Sequence, residues 1–181
     1  MRPIFLLLTA LSLIGCSDDN RDTMQESPIT WAECSQNIGS YPCDFTLKNQ
    51  DNNDISLYDY YGQTIVLDFS AMWCGPCRMA ASDVQATADS YGVAYITILI
   101  ENSAGDQPSV SDASNWADFY SIKEPVLIGS RDMLSSSGDD GWPLTSWPTF
   151  FFINDEMVLT DSLKGYSKEA VDYYIQQTTR Q

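Results

Sequence analysis

The sequence predicts one α/β domain, a central β-sheet flanked by helices. Two apolar runs, Thr64–Phe69 and Val93–Ile100, read as strands buried on both faces. The segment between them has helical periodicity, so the three together make a right-handed βαβ unit with parallel strands. A second pair of apolar runs, Thr149–Ile153 and Met157–Leu163, is joined by an Asn-Asp-Glu turn and followed by another helical segment. With 44% hydrophobic residues, the 181-residue chain can fill one ample core.

The first fifteen residues stand apart from the rest. One charge, Arg2, precedes an apolar and small run from Ile4 to Ile14. As a helix this run rises roughly 16 Å, about half of the ~30 Å hydrocarbon core of a bilayer. Residues 1–15 therefore read as a signal peptide. Residues 16–30 read as a flexible tether, because Ser17–Thr30 holds only Met24 and Ile29 as larger apolar residues. Stretched out, that segment reaches about 45 Å. The domain is assigned to residues 31–181, with its packed pattern beginning at Ile38.

Within the domain the first buried strand is broken only by Asp68, and a turn carrying Trp73 and Cys74 to Cys77 follows it. A single helix is expected from there to Tyr91, with Met79, Val84, Ala88 and Tyr91 on one face and Gly92 as its stop. After the strand Val93–Ile100, Ser111 or Asp112 is expected to cap a helix that buries Trp116, Phe119 and Tyr120 and ends at Pro125. Val126–Gly129 reads as a short strand and Ser130–Gly141 as a loop. The last helix runs from a capping Ser167 to about Thr178, with Val171, Tyr174 and Ile175 inward. There is no internal repeat.

Charge and composition exclude several classes of function. With 25 acidic against 9 basic residues the chain carries a formal charge of −16. It lacks the basic stripe that a phosphate backbone requires, so nucleic acid is not a partner. The absence of histidine removes Ser-His-Asp and Cys-His catalysis and every imidazole metal site. Asp139 and Asp140 lie in a solvated turn without the ligand spacing of a calcium loop. No metal and no cofactor beyond a redox-active disulfide is predicted.

The chemistry is expected at Cys74, Gly75, Pro76 and Cys77. Two cysteines three apart at the start of a helix can close a small disulfide, and unpaired N–H groups there favour a thiolate at the first position. The thiolate is the nucleophile, so lowering its pKa is the functional act. A zinc site would have to recruit Cys34 and Cys43, whose spacing is wider than usual for such ligands. A purely structural disulfide in so tight a loop would constrain the unfolded chain little. Haem attachment needs a histidine where Arg78 stands.

In order along the chain, these motifs resemble the thioredoxin superfamily, and within it the exported, membrane-anchored TlpA/ResA-like branch. Trp73-Cys74-Gly75-Pro76-Cys77-Arg78 is similar to the thioredoxin active site. Ser146-Trp147-Pro148-Thr149 before an apolar strand resembles the segment bearing the family's cis-proline. Pro42, Asp44–Leu47 and Ile55–Leu57 are similar to the entry segment of the TlpA/ResA and peroxiredoxin-like branch. The resemblance covers about Ile38 to Gln177. It implies a thioredoxin fold, a central mixed β-sheet flanked by helices, with an N-terminal extension and an insertion before the cis-Pro strand.

The resemblance also implies roles. Cys74 is the attacking thiol and Cys77 the resolving one. Asp68, six residues before Cys74, matches the family's buried acid; desolvation raises its pKa and lets it exchange a proton with Cys77 near neutral pH. Trp73, Gly75, Pro76, Trp147 and Pro148 line the place where an extended substrate pairs. The implied partners are protein thiols and disulfides, together with a membrane electron donor. Three departures stand out. Val93–Ile100 has no lysine to partner Asp68, no proline follows Cys77 to kink the helix, and Trp147 is bulkier than the usual residue. Trp147 either covers the disulfide or caps the edge of the core.

Leu13-Ile14-Gly15-Cys16 resembles a bacterial lipobox, against the plainer reading of an ordinary signal with a chance cysteine. The lipobox reading makes Cys16 the lipidated first residue of the mature chain, durably anchored on the periplasmic side of the cell envelope. Ser17 then favours the outer membrane. Cys34 and Cys43 form either a structural disulfide pinning the N-terminal arm or a second redox pair. The function expected is a thiol-disulfide oxidoreductase outside the cytoplasm, working as a reductase. The alternatives are a non-catalytic binding lipoprotein of the same fold and a peroxiredoxin-like thiol peroxidase. The residues from Phe69 to Cys74 lack the Pro and Thr or Ser that a peroxidase motif places ahead of its cysteine.

Overall fold

The computed structural model describes residue 31 and residues 33–180. The expected signal peptide, Cys16 and the tether lie outside the described residues. The sheet forms around β3 (Ile65–Ala71) and β4 (Ala94–Glu101), in which every residue is buried, as continuous apolar strands should be. They pair in parallel, and β5 (Val126–Ile128) extends the sheet beyond β4, again in parallel. On the other side β8 (Thr149–Ile153) runs antiparallel to β3, and β9 (Leu159–Lys164) runs antiparallel to β8. The order β5-β4-β3-β8-β9 is the mixed sheet of the thioredoxin fold.

Both parallel crossovers, β3 to β4 and β4 to β5, step in the same direction across the sheet, so right-handed connections put their helices on one face. There α1 (Gly75–Ala81), α2 (Val84–Tyr91), α3 (Val110–Tyr120) and α4 (Lys168–Thr178) bury Cys77, Val84, Trp116 and Ile175 against Val66, Tyr95 and Phe152. Among the described residues the opposite face is covered without α-helices. It packs Phe69, Ile98 and Phe151 under Leu57 and Trp142. The cover consists of the hairpin β1 (Thr46–Lys48) and β2 (Asp54–Ser56), the 3₁₀ turn Leu57–Tyr60, and the stretch from Gly129 to Pro148. Among the described residues no helix is long and apolar enough to cross a membrane.

The structure corrects several boundaries. The helix expected from Cys74 to Tyr91 is two helices, broken at Ser82 and Asp83 without any proline. The Asp83 N–H turns back to the Ala80 carbonyl at 2.9 Å, and the Tyr166 hydroxyl donates to the Asp83 carboxylate, fixing the break from outside. The phase resets there, so α1 buries Cys77, Ala80 and Ala81 and leaves Met79 exposed.

The cap of α3 is Ser109, not Ser111 or Asp112. Ser109 and Asp112 exchange side-chain-to-backbone bonds in a capping box. The helix ends at Tyr120 rather than at Pro125, because Ser121 takes a left-handed conformation (φ 57°) and the Ile122 N–H reaches the Ala117 carbonyl at 2.9 Å. Phe119 is 80% exposed while Trp116 is buried, so they do not share an inward face.

The Ser130–Gly141 loop holds a 3₁₀ turn (Arg131–Met133) and the two-residue strand β6 (Leu134–Ser135), which pairs with β7 (Trp142–Pro143). Met157 belongs to the turn before β9, with φ at 62°.

Candidate active site

The parallel strands β3 and β4 end at the same edge of the sheet, because Ala71 is the register partner of Glu101. The antiparallel β8 begins there, since Phe69 pairs with Thr149. Such an edge is where open α/β sheets place their sites. From it β3 leads through Met72 and Trp73 into α1, with Cys74 as the N-cap residue in extended conformation. Pro76 sits in the first turn, where its missing N–H removes no helical bond.

Cys74 and Cys77 are joined in a disulfide with Cα atoms 5.2 Å apart. The Cys77 N–H donates to Cys74 Sγ at 3.2 Å, a bond that favours negative charge on that sulfur. The two thiols differ in access: Cys74 retains 4% exposure beneath exposed Trp73 and Gly75, whereas Cys77 retains none.

Pro148 precedes Thr149 and so lies at this same edge, with a cis Trp147–Pro148 bond. The main-chain N–H and C=O of Trp147 have no partner among the described residues. Its half-buried side chain packs against both hydrophobic clusters. It also shares a shallow groove with Arg131, Leu144 and Ser146. The expected kit of Trp73, Gly75, Pro76, Trp147 and Pro148 around the disulfide is therefore gathered on one rim.

Asp68 lies on β3 behind the rim, 1% exposed. One carboxylate oxygen accepts from the Ser70 hydroxyl at 2.7 Å, and the other, Oδ2, is buried without a partner among the described residues. Burial pushes its pKa up to about 7, only partly opposed by the Ser70 bond. The register partner of Asp68 on β4 is Thr97, whose own hydroxyl is buried without a partner among the described residues. The strand position beside the acid is thus taken by a neutral side chain. Buried Tyr95 is pushed well above its ordinary pKa by desolvation first and by the Asp68 charge second, so the two share one low-dielectric pocket.

Cys34 and Cys43 form the second disulfide, with Cα atoms 4.8 Å apart. Their arm is held away from the helix face. The Gln36 N–H donates to the Gly138 carbonyl at 2.6 Å, and Cys43 lines a groove with Phe45, Met133 and Trp142, which pack on the opposite face of the sheet. These four cysteines therefore form two separate covalent pairs.

Sequence reading missed one buried acid. Glu101, 3% exposed at the end of β4, accepts the Trp73 indole N–H at 2.7 Å and pairs with the Arg131 guanidinium. The signal was an acid directly continuing an eight-residue apolar run, the same kind of interruption that marked Asp68. A carboxylate this buried needs both partners.

The geometry agrees with what the chain is similar to. It is 25% identical over 123 residues to the thioredoxin-like protein YneN of Bacillus subtilis, covering 68% of this chain and 69% of that one. It is 24% identical over 134 residues to the thiol-disulfide oxidoreductase ResA of the same organism, covering 74% and 70%.

Among solved structures, the exposed lipoprotein thioredoxin Etrx1 of Streptococcus pneumoniae superposes with a TM-score of 0.59 at 26% identity, over 75% of this chain and 99% of that one. A thiol:disulfide interchange protein of Chlorobium tepidum superposes with a TM-score of 0.60 at 18% identity, over 75% and 92%. The pattern of the AhpC/TSA family matches residues 38–162, and with the fold and the cysteine pair in place this chain belongs to that family.

Proposed function

We propose that this protein is a thiol-disulfide oxidoreductase that acts outside the cytoplasm on protein substrates, as a reductase, from a lipid anchor at Cys16. The observation that carries the activity is the asymmetry of the pair: Cys74 at the helix cap keeps a trace of exposure, Cys77 is sealed, and a carboxyl of pKa about 7 lies on the strand behind them. An exchange cycle needs those three properties.

In the reduced protein the Cys74 thiolate attacks one sulfur of a substrate disulfide and expels the other as a thiolate. The mixed disulfide lies along the rim, where the unpaired main-chain groups of Trp147 are free to bond an extended substrate strand. Cys77 then gives its proton to Asp68 and attacks Cys74 Sγ. The second substrate thiolate leaves, and the pair closes to the disulfide seen here. Two electrons pass from the dithiol to the substrate, and the two substrate thiolates take up protons. Regeneration requires an external dithiol or an equivalent donor, which we assign to a membrane partner. Gly75 and Pro76 between the cysteines are the pair that thioredoxin carries, and this supports the reducing direction.

The bonds from the Cys34–Cys43 arm to the Gly138 region support a structural role for that disulfide, pinning the extension to the insertion. The lipobox-like Cys16 and Ser17 favour the periplasmic side of the cell envelope and the outer membrane.

The test is capture of the intermediate. Cys77→Ser incubated with a disulfide-bonded protein such as insulin should accumulate a dithiothreitol-sensitive adduct through Cys74, and Cys74→Ser should not. Absence of any adduct, with wild-type protein also inert towards insulin, would overturn the assignment in favour of a binding module.

A further inference from the structure

Glu101 has no part in the exchange chemistry above, yet it is a buried carboxylate held between two sides of the rim. One oxygen takes the indole N–H of Trp73, the residue directly before Cys74, at 2.7 Å. The other faces the guanidinium of Arg131, at the start of the turn that follows β5. Arg131 in turn lines the groove that holds Trp147, directly before the cis proline. Glu101 therefore ties the Trp73 wall, on the Cys74 side of the rim, to Arg131, which lines the groove on the Pro148 side.

The connection is costly to build for any other purpose. Withdrawing a carboxylate from water loses its hydration, which only close partners repay. This chain has only 9 basic residues against 25 acidic ones, and it commits one of them here. The Arg131 side chain stays largely exposed, with 69% of its surface open, so the deeply buried partner is Glu101. Trp73 is 45% exposed, and an exposed indole without a fixed partner would rotate freely over the disulfide.

We propose that Glu101 is a positioning residue for substrate docking. It clamps the Trp73 indole and, through Arg131, sets that ring at a fixed distance from the Trp147–Pro148 segment, so that a protein strand entering beside Cys74 meets a preformed slot. The function of the clamp rests on the exchange activity proposed above, but its existence does not. A small disulfide reaches Cys74 without touching both walls, and a protein strand cannot. Loss of the clamp therefore raises KM for protein disulfides and leaves reaction with small ones nearly unchanged.

The test uses protein labelled with ¹⁵N-tryptophan, in which Trp73→Phe identifies the Trp73 indole resonance. In the oxidised wild type that N–H should exchange slowly with water. Glu101→Ala should speed the exchange at least tenfold, and Glu101→Gln, whose amide oxygen still accepts, should restore most of the protection. In parallel, Glu101→Ala should raise KM for insulin about five- to tenfold with kcat and the rate towards 5,5′-dithiobis(2-nitrobenzoate) within twofold of wild type.

Rapid indole exchange in the wild type would overturn the clamp, as would an unchanged KM in a variant whose indole is released. Equal loss towards both disulfides would overturn it too, since general damage does that. A wild type that reduces neither disulfide would instead refute the exchange activity and with it the docking role, while the indole measurement would still decide whether Glu101 holds Trp73.

Discussion

Replacing Asp68 by Asn keeps the shape and the Ser70 hydrogen bond of the buried acid but removes its titration. In the fold the carboxyl has its pKa pushed from 3.8 to about 7 by burial. A raised carboxyl pKa means that the folded state holds the proton more tightly than the unfolded one. The associated stability is fully present below about pH 4 and is lost as pH rises towards 7. At 1.36 kcal/mol per pH unit, the separation of about three units amounts to about 4 kcal/mol as an upper value.

Asp68→Asn, neutral throughout, should therefore unfold in urea with nearly wild-type stability near pH 4. By pH 8 it should be more stable than wild type by about 2–4 kcal/mol, with the difference opening between those values. The same variant cannot accept the Cys77 proton, so release of substrate from the mixed disulfide should slow on the order of 10²-fold at pH 7. A difference in stability that does not change with pH would refute the reasoning about Asp68, whatever the kinetics.

Three further outcomes are expected. The double variant Cys34→Ser/Cys43→Ser should lose about 2–3 kcal/mol of stability, since its loop spans a sequence separation of 9, while the Cys74/Cys77 potential moves by less than about 15 mV. A large change in that potential would instead make Cys34 and Cys43 a redox partner pair. Cys16→Ala should release the protein from the membrane fraction of expressing bacteria, and an unchanged distribution would remove the lipid anchor. Ser109→Ala breaks the capping box of α3 and should cost about 1 kcal/mol by urea denaturation, with no change in redox potential.

The sheet was legible because its central strands are apolar on both faces. Ile65 to Ala71 and Ala94 to Glu101 alternate nothing, and only parallel-type burial explains that. The Cys74–Cys77 disulfide and the cis bond before Pro148 were legible because close sequence spacing and a recognisable neighbourhood pointed to them without tertiary detail. What escaped depended on contacts between distant residues. The break at Asp83 is held by Tyr166, which is 83 positions away, and no local propensity announces it. Phe119 was expected inward with Trp116, but the buried stripe of α3 is Ala113, Trp116 and Ala117, and Phe119 lies off it. Glu101 was passed over as the polar end of a strand. Its importance lies in Trp73 and Arg131, 28 residues before it and 30 after it, which meet only when the parallel strands bring their ends together.

The most direct test of the central claim is the equilibrium potential of the Cys74/Cys77 pair, read in defined dithiothreitol or glutathione buffers with Cys34→Ser/Cys43→Ser as control. A reversible two-electron transition near or below about −250 mV is the predicted result, placing the pair with reducing thioredoxins. A value above about −150 mV would contradict the reducing direction, and no reversible transition at all would contradict thiol-disulfide exchange by these two cysteines.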